Sequence, residues 1–279
     1  MKLGIIIVSY HSDDMTVRYV REQLSRISLE HVIVIVDNGA GEEEAAALSN
    51  RLPGVIVLPC ENRGYAFGNN YGAKYLRERY QPEYFLFTNN DIRFESDDLA
   101  ESLVSCLEKH PEAAVIGPEV IGLDGCRQSP EPYLGLWKRY VWMYLSSPFI
   151  TRKDKEERFL LSYPQKAQEG LHYKLSGSFL IAESESFFRA GMFDEATFLY
   201  AEENILSERL KAIGKGMYFF PSVRIIHEHG KTTEKSFSAR KRAMMQYRSM
   251  AYYYQQYRGY NRFACLLVGL VYRLILLVK

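Results

Sequence analysis

Apolar runs alternate with amphipathic stretches through the first third of the chain, and this alternation restricts the fold more than any other feature of the sequence. The apolar runs have the length of strands and cover residues 2–8, 32–36, 55–58 and 84–88. The stretches between them have helical periodicity and cover residues 13–27, 42–52 and 66–79. Strands that alternate with helices are typical of a parallel sheet covered by helices on both faces. The pattern therefore predicts an α/β fold.

Polar residues follow the predicted strands at the points where the strands end. Ser9, Asp37, Asn62 and Asp91 occupy these positions. In an α/β sheet, ligands bind beyond the carboxyl ends of the strands. We therefore expect these side chains to border one shared pocket.

The four cysteines lie far apart at positions 60, 106, 126 and 265, with no CxxC pair and no histidine at zinc spacing. This usage favours free thiols in a reducing compartment. The N-terminal apolar run is too short for a signal peptide and is interpreted as a strand. Together these features favour a cytoplasmic location.

The charge of the chain is divided unevenly, although its formal net value is only +1. Residues 231–279 contain ten Lys or Arg and a single acid, Glu234, which leaves 25 basic and 33 acidic residues in 1–230. An acidic body with a basic tail indicates an anionic partner for the tail. Nucleic acid and an anionic membrane surface are the two candidates.

The end of the tail favours the membrane surface. Residues 263–278 are apolar except for Arg273, and a basic, tyrosine-rich segment precedes them. Sixteen residues are fewer than the roughly 20 that span a bilayer, whereas Tyr, Lys and Arg suit the headgroup region. We expect an amphipathic helix that lies in the interface. A spanning helix and a helix packed on the protein or on a dimer partner are the alternatives.

Two segments offer ligands for a divalent cation. Asp91, in Asn89-Asn90-Asp91, follows a buried strand, where a carboxylate binds a cation that neutralises a diphosphate. The alternative is that Asp91 caps a turn. His227 follows a later strand and is either structural or a second ligand beside Asp91.

Of two other segments, one offers contacts to an anionic substrate and the other offers a general base. Gly64 precedes a helix whose free N–H groups favour anions, and Arg63 adds charge, although a simple strand-to-helix turn has the same composition. The chain contains neither GxGxxG nor a P-loop, which disfavours dinucleotide enzymes and kinases. Glu202 and Glu203 begin a helix, where acids complement the helix dipole or serve as a general base.

Taken in order, these segments resemble the family 2 glycosyltransferases, and in particular the rhamnosyltransferase-like branch that builds bacterial surface polysaccharides. The resemblance covers residues 1–232, and its specificity comes from the order of seven individually weak motifs. The motifs are IIIVSYH at 5–11, VIVDNGA at 34–40, ENRGYAFGNNYG at 61–72, FLFTNNDIRF at 85–94, GSFLI at 177–181, GMFDEATFLYAEEN at 191–204 and VRIIHEHGKT at 223–232.

The resemblance implies a GT-A fold, a Rossmann-like mixed sheet flanked by helices, in a catalytic domain of residues 1–232. It also implies that Asp91 and His227 hold Mg²⁺ or Mn²⁺, and that Glu203 is the catalytic base with Glu202 as the alternative. Ser9 and Asp37 are expected at the ribose and base, and Arg63 in the donor pocket. The full set expected to contact the nucleotide-sugar is Ser9, Tyr10, Asp37, Asn62, Arg63, Gly64, Asn70, Asn89, Asn90 and Gly177.

The chain departs from the family pattern at three positions. The DxD motif begins with Asn89, which removes one carboxylate from the metal site. Ile205 stands where a second acid supports the base, and Glu203 is one methylene longer than the usual Asp. Residues 233–279 lie beyond the resemblance and are expected to form the membrane-associating helical tail.

The implied activity is an inverting transfer of a sugar from a UDP-, dTDP- or GDP-linked donor to an acceptor hydroxyl of a lipid-linked saccharide. The expected location is the inner face of the plasma membrane. A sugar-nucleotidyltransferase is one alternative, but the glycine-rich phosphate loop of that class is missing from the N-terminal region. A nucleic-acid-binding protein would leave the apolar end of the tail unexplained, and its acidic body would repel phosphates. An inactive nucleotide-sugar binding module is the third alternative.

Overall fold

The computed structural model describes residues 1–143, 163–228 and 238–278. A mixed sheet of nine strands forms the centre of this part of the chain. Its strands are β1 (Leu3–Ser9), β2 (His31–Asn38), β3 (Ile56–Cys60), β4 (Tyr84–Thr88), β5 (Ile92–Phe94), β6 (Ala113–Gly122), β7 (Gly170–His172), β8 (Phe179–Glu183) and β9 (Gly216–His227).

The helices of the same ranges include two at the C-terminal end, α8 and α9. They are α1 (Asp13–Glu22), α2 (Glu42–Arg51), α3 (Tyr65–Arg79), α4 (Leu99–Lys109), α5 (Tyr163–Lys166), α6 (Ser184–Arg189), α7 (Glu202–Ala212), α8 (Ala239–Tyr257) and α9 (Arg262–Val278). A 3-10 turn, Leu24–Arg26, follows α1, so the single helix predicted over 13–27 is interrupted. A π-helical turn lies at Lys138–Trp142.

The strand order is β3-β2-β1-β4-β8-β6-β9-β5, and β7 pairs with the other half of β9. The first four strands are parallel, as the alternation of strands and helices predicts. Their register sets Ser9 beside Asp37, so that the carboxyl ends form one edge. β8 is antiparallel to both β4 and β6, which makes the complete sheet mixed.

The long strand β9 covers two apolar stretches of the sequence, 217–220 and 223–227. Its pairing with β6 shifts register between Phe220 and Arg224. Pro221 lies in this interval and has no N–H for the strand ladder, so the strand is irregular there without ending. Its last residue, His227, pairs with Ile92 of β5. This pairing brings the C-terminal half of the sheet to the end of β4.

Each face of the sheet has its own hydrophobic core. Leu3, Ile5 and Ile7 of β1 point into a core shared with α1, α2 and α4. Ile6 points into a second core, shared with α3, α6 and α7. Successive side chains of a strand point to opposite faces, so a strand that is buried on both sides is apolar throughout.

A third hydrophobic cluster joins the C-terminal helices to the rest of the protein. Tyr253 and Tyr254 of α8 and Tyr272 of α9 are buried beside Leu136 and Ile205. The headgroup role expected of the tyrosine-rich segment is therefore wrong for Tyr253 and Tyr254, because α8 turns them toward protein. The expected boundary between residues 232 and 233 lies outside the described residues.

The other side of α9 is exposed and apolar. Phe263, Leu270 and Leu274 are exposed by 75%, 62% and 62%, at intervals that place them along one side of the helix. Within the described ranges, no helix combines the length and the hydrophobicity that a membrane crossing requires.

Candidate active site

A cavity of about 570 Å³ opens where the strands β1, β2 and β4 end. The chain supplies its walls from the loops after these strands, from the start of α7 and from α8. Ten residues expected from the sequence line it: Tyr10, Asn62, Gly64, Asn89, Asn90, Asp91, Gly177, Glu202, Glu203 and His227.

Two of the remaining expected residues, Ser9 and Asp37, lie at the strand ends but do not line the cavity. The hydroxyl of Ser9 is buried and hydrogen-bonded to Thr16, at 3.1 Å. Thr16 in turn accepts from the side-chain amide of Asn90, at 2.8 Å. Ser9 thus orients Asn90, which lines the cavity, through these hydrogen bonds.

Burial raises the pKa of Asp37 to about 6, and the charges of Asp13 and Glu44 act in the same direction.

Arg63 and Asn70 also lie outside the cavity wall. The guanidinium carbon of Arg63 is 4.0 Å from the centre of the Phe67 ring. The side-chain amide of Asn70 donates to the Phe193 carbonyl and to Glu195, while its oxygen accepts from the Phe193 N–H. Asn70 therefore fixes the loop before α7. Asn38, which was not expected from the sequence, lines the cavity and donates to Asn62.

Asp91 and His227 meet at the junction of β4, β5 and β9. The distance between Asp91 Oδ1 and His227 Nε2 is 3.3 Å. The other ring nitrogen, Nδ1, is 3.0 Å from Gln128 Oε1, so the Gln128 amide orients the ring with Nε2 toward Asp91. Carboxylate oxygen and imidazole nitrogen are suitable ligands for Mn²⁺, and the carboxylate also suits Mg²⁺. The pair therefore fits a divalent cation.

A different group has three potential metal ligands close together. Within the described ranges, Cys106, His110 and Glu169 place one ligand atom each within 4.8 Å of one another. None of the three lines the cavity. Among the residues that the structure describes, the site expected from the sequence has two such ligands, Asp91 and His227, with the neutral amide of Asn89 3.5 Å from His227 Nε2.

The carboxylate of Glu203 is fixed by the backbone of Gly177. Its Oε1 accepts a hydrogen bond from the Gly177 N–H at 3.0 Å. A Cβ atom at position 177 would lie only 2.2 Å from this oxygen. The absence of a side chain at Gly177 is therefore what allows Glu203 to reach the backbone and remain oriented into the cavity.

Glu202 has a different environment from its neighbour. Its side chain is 3% exposed. Burial raises its pKa to about 8, and the adjacent charge of Glu203 contributes in the same direction. At neutral pH Glu202 is thus mainly protonated. Tyr200 and Ala201, with φ of 72° and 73°, turn the chain immediately before this pair, and such left-handed backbone in non-glycine residues is common at functional sites.

The loop after β3 contacts the loop before α7 through Gly64. The φ of Gly64 is +101°, and a Cβ atom there would lie 2.1 Å from the Phe198 carbonyl oxygen. The next N–H, that of Tyr65, donates to the same oxygen at 3.0 Å. The Tyr65 hydroxyl donates to Asn89 and to the Gly177 carbonyl. These contacts hold the loop after β3, here called the donor loop, against the loop that precedes Glu202 and Glu203.

Several lining residues were not expected from the sequence, and four of them are charged. They are spread over the chain without a common motif, so no local pattern distinguishes them from solvated charges. The structure gathers them at the end of the cavity next to α8: Glu131, Arg139, Lys174, Arg242 and Gln246.

Comparison with known protein families gives a match over residues 4–165, to the family described as Glycosyl transferase family 2. This match covers more than half of the chain. The chain belongs to glycosyl transferase family 2. The resemblance inferred from the seven motifs is thereby confirmed.

Two bacterial relatives within this family are rhamnosyltransferases. The N-acetylglucosaminyl-diphospho-decaprenol L-rhamnosyltransferase of Mycobacterium tuberculosis is 26% identical over 222 residues, which are 72% of this chain and 67% of the relative. The rhamnosyltransferase WbbL of Escherichia coli is 24% identical over 232 residues, covering 80% of this chain and 82% of WbbL.

Solved structures confirm the GT-A fold. The mannosyltransferase PcManGT from Pyrobaculum calidifontis, in complex with GDP-Man and Mn²⁺, has a TM-score of 0.59 at 11% identity and covers 94% of this chain. S. aureus TarS 1–349 in complex with UDP-GlcNAc has a TM-score of 0.55 at 12% identity and covers 96% of this chain. This chain spans 65% of the mannosyltransferase and 70% of the TarS chain. At these identities the likeness concerns the fold alone.

The departures of this family 2 chain from the motif pattern have structural counterparts. Asn89 accepts from the Tyr65 hydroxyl and lies beside the Asp91–His227 pair as a neutral group. Ile205 is fully buried in the cluster formed with α8, so a carboxylate at this position would be taken out of water.

Proposed function

We propose that the protein is an inverting glycosyltransferase that moves a sugar from a nucleotide-diphosphate sugar to an acceptor hydroxyl. One observation carries the proposal: a single cavity contains the Asp91–His227 pair and the Glu203 carboxylate, beside the loops that end β1, β2 and β3. An inverting transfer requires a carboxylate near the acceptor hydroxyl and stabilisation of charge on the leaving diphosphate. The family membership supports the same reaction.

Glu203 is the proposed catalytic base, and Glu202 is not. A base must be ionised before it accepts a proton, and the raised pKa of Glu202 leaves that residue mainly protonated at neutral pH. Glu203 lines the cavity in an orientation fixed by Gly177. The acceptor hydroxyl gives its proton to Glu203 as its oxygen attacks the anomeric carbon. The leaving group departs from the opposite face of the sugar, which inverts the configuration.

Asp91 and His227 are the proposed ligands of Mg²⁺ or Mn²⁺. When bound, such a cation supplies positive charge to the diphosphate of the donor. Gln128 holds the His227 ring with Nε2 toward Asp91. Asn89 contributes a neutral amide beside this pair. The site therefore has less negative charge than it would have with a second carboxylate at position 89.

The proposed donor is a UDP-, dTDP- or GDP-linked sugar, and the proposed acceptor is a lipid-linked saccharide of surface polysaccharide biosynthesis. The name of the mycobacterial relative describes a sugar linked through a diphosphate to decaprenol. That relationship supports the acceptor class. The donor contacts expected of Tyr10, Asn62, Gly64, Asn90 and Gly177 are supported by their positions in the cavity wall.

The exposed face of α9 is the proposed contact with an anionic membrane surface. Its leucines cover one side of the helix, and the tail has a strong excess of basic residues. An apolar helix face with neighbouring cations inserts into the headgroup region of an anionic bilayer. We assign residues 1–232 to catalysis and 233–279 to this tail, and we place the enzyme on the inner face of the plasma membrane.

Release of nucleoside diphosphate from a panel of UDP-, dTDP- and GDP-sugars tests the proposal. The assay uses the full chain with Mn²⁺, Mg²⁺ or EDTA and a polyprenyl-diphosphate-linked N-acetylglucosamine as acceptor. We expect turnover of one donor, its loss with EDTA and its loss in Asp91→Ala. The exposed Asp14, which pairs with Arg51 on the surface, provides the matched control Asp14→Ala, which should retain activity.

Three outcomes would contradict the proposal. Turnover unaffected by EDTA and by Asp91→Ala would remove the metal site. Formation of a nucleotide-sugar from a sugar phosphate and a nucleoside triphosphate, without transfer, would identify a nucleotidyltransferase. Donor binding in calorimetry without turnover on this acceptor would favour an inactive binding module.

A further inference from the structure

A group of metal-binding side chains lies outside the cavity, where the end of α4 meets the segment before β7. Cys106 belongs to α4, His110 follows its last residue, and Glu169 directly precedes β7. One ligand atom of each residue lies within 4.8 Å of those of the other two. A sulfur, a nitrogen and an oxygen atom from two separate parts of the chain therefore converge here.

Helical spacing brings Cys106 and His110 together. They are four residues apart at the end of α4, and positions i and i+4 of a helix lie on the same face. Contrary to the expectation from the sequence, a histidine thus lies at a spacing from a cysteine that zinc can use. Glu169 joins the pair only in the folded protein, so no local motif marks the complete group.

Tyr218 of β9 supports two of the three side chains. Its hydroxyl donates a hydrogen bond to Glu169 Oε1 at 3.0 Å. Its ring stacks on the His110 ring, with 4.0 Å between the centroids and 28° between the planes. Tyr218 is itself buried in the hydrophobic core shared with α4. His110 and Glu169 are therefore held by a residue whose own position is fixed.

Glu112 orients the imidazole of His110. Its Oε1 lies 2.9 Å from His110 Nδ1. Metal-binding histidines commonly donate the N–H of one ring nitrogen to a carboxylate, which fixes the ring and makes the other nitrogen a better ligand. The contact with Glu112 has this form and leaves Nε2 for a metal ion.

The ligand types favour zinc over the cation proposed for the active site. Zn²⁺ is bound in proteins by cysteine sulfur, histidine nitrogen and carboxylate oxygen, whereas Mg²⁺ requires oxygen ligands. Ligand atoms around tetrahedral zinc are roughly 3.4–3.8 Å apart, as bond lengths of about 2.0–2.3 Å require. The observed separations reach at most 4.8 Å, and Glu169 is exposed. Small side-chain rotations therefore suffice to close the group around an ion.

The group is apart from the catalytic cavity but is connected to it by β7. None of its three side chains lines the cavity. β7 pairs with β9, and Lys174, which follows β7, lines the cavity. An ion held at the start of β7 would fix the segment that leads to Lys174 without taking part in sugar transfer.

We propose that Cys106, His110 and Glu169 bind Zn²⁺, which ties the end of α4 to the segment before β7. These three ligands leave a fourth tetrahedral position for water. The proposal does not depend on the proposed function, because it uses other side chains and a metal of different ligand preference.

Cobalt provides a spectroscopic probe of this group. Co²⁺ occupies zinc sites, and a thiolate bound to Co²⁺ gives a charge-transfer band in the near ultraviolet that oxygen and nitrogen ligands do not give. We would titrate the full-length, metal-free protein with Co²⁺ under reducing conditions and then add Zn²⁺. We expect the band to appear with Co²⁺ and to disappear with Zn²⁺, because thiolate ligands favour zinc.

Cysteine variants assign the band to one thiol. Cys106→Ala should abolish it, since this variant removes the thiolate. Cys126→Ala is the matched control, because Cys126 is a free and exposed thiol outside the group, and it should keep the band. Asp91→Ala should also keep it, because Asp91 belongs to the catalytic cavity.

Variants of the exposed carboxylate test the link to β7 without disturbing the core. Glu169→Gln should lower the affinity for Zn²⁺ at least about tenfold, since changes in the outer shell alone cost roughly 10- to 100-fold. Tyr218→Phe keeps the ring on His110 but removes the hydroxyl, and should lower the affinity about tenfold. Glu185→Gln, at an exposed position of α6, is the control and should leave it unchanged. Competition with a fluorescent chelator measures these affinities.

Zinc should also stabilise the folded protein. In Asp91→Ala, which lacks the proposed catalytic metal ligand, a hundredfold excess of Zn²⁺ over its dissociation constant should raise the melting temperature by roughly 5 °C. Adding Cys106→Ala to this variant should remove the rise. Melting of each metal-free variant shows whether it is folded before zinc is added.

Three results would overturn the proposal. The first is the absence of a thiolate band from the folded wild type in the presence of Co²⁺. The second is a band that persists in Cys106→Ala, which would place the thiolate ligand elsewhere. The third is an equal Zn²⁺ affinity of the wild type and Glu169→Gln, which would remove the connection between α4 and the segment before β7.

Discussion

The two ends of the cavity are built in different ways. The end formed by Tyr10, Asn38, Asn62 and Gly64 consists of neutral polar side chains and backbone that directly follow parallel strands. The opposite end is formed by charged side chains from the π-helical turn, the segment after β7 and the tail helix α8. The first end depends on local strand geometry, whereas the second depends on contacts between distant segments. We therefore expect substitutions at the two ends to have separable effects.

The largest expected effect distinguishes the two adjacent glutamates. Glu203→Gln should reduce turnover about 10³-fold, because general base catalysis contributes roughly 10²- to 10⁴-fold, while the donor affinity stays unchanged. Glu202→Gln should retain most of the activity at pH 7, since it replaces a carboxyl that is already mainly neutral. Steady-state kinetics of the pair measure this contrast. A larger loss in Glu202→Gln would transfer the role of base to Glu202.

The contact between the donor loop and the loop before α7 is tested at Gly64. Gly64→Ala places a Cβ atom 2.1 Å from the Phe198 carbonyl oxygen, so one of the two backbone segments must move. Gly54→Ala is the matched control, because Gly54 also has a positive φ, +87°, but nothing within 4 Å of the added atom. The strain of left-handed backbone, about 1–2 kcal/mol, is common to both variants.

We expect Gly64→Ala to lower the free energy of unfolding by about 2 kcal/mol more than Gly54→Ala does, which is the usual scale of overpacking. Denaturant titration measures the difference. Donor affinity should fall in Gly64→Ala alone. Equal stability and equal donor affinity in the two variants would mean that the Gly64–Phe198 contact does not join the two loops.

The charge state of Glu202 gives a pH-dependent prediction. Its pKa is raised from about 4.5 in the unfolded chain to about 8 in the folded protein, so the folded protein binds more protons between these values. Stability contributed by this carboxyl is therefore present below about pH 4.5 and is lost as the pH rises toward 8. Glu202→Gln removes this dependence.

Relative to Glu202→Gln, the wild type should lose roughly 10 °C of melting temperature between pH 5 and pH 8.5, because a carboxyl whose pKa is raised from about 4.5 to about 8 changes the stability by about 4 kcal/mol over this range. Thermal scans of both proteins at several pH values provide the measurement. Parallel pH profiles would show that Glu202 is ionised in the folded protein, and its exclusion as the base would no longer hold.

The smallest expected effect concerns the exposed apolar side of α9. Leu270→Gln on the exposed side of α9 should weaken binding to phosphatidylglycerol vesicles about fivefold, the scale of one exposed leucine that enters the interface. Leu123→Gln is the control, because Leu123 is equally apolar and 68% exposed but lies in a turn after β6. Vesicle co-sedimentation measures both. Equal weakening by the two variants would exclude a specific role for α9.

Much of the nucleotide half of the fold is determined by local sequence. The strands after Lys2, at 32–36 and at 84–88 appear where apolar runs predict them, with ends that differ by a few residues. This agreement has a simple reason: a strand buried on both faces must be apolar throughout. By contrast, sequence patterns assigned no element to residues 92–122, where the structure has β5, α4 and β6.

The sequence by itself determined the family, the parallel strands and ten of the residues around the cavity, because each of these depends on neighbours within a few positions along the chain. Only the tertiary structure decided how Glu131, Arg139, Lys174 and Arg242 meet, since each is an ordinary charged residue in its local sequence. It also decided the protonation of Glu202, which depends on burial by distant segments and on the charge of its neighbour. Burial and electrostatic interactions arise only when distant segments pack together, so no short stretch of sequence determines them.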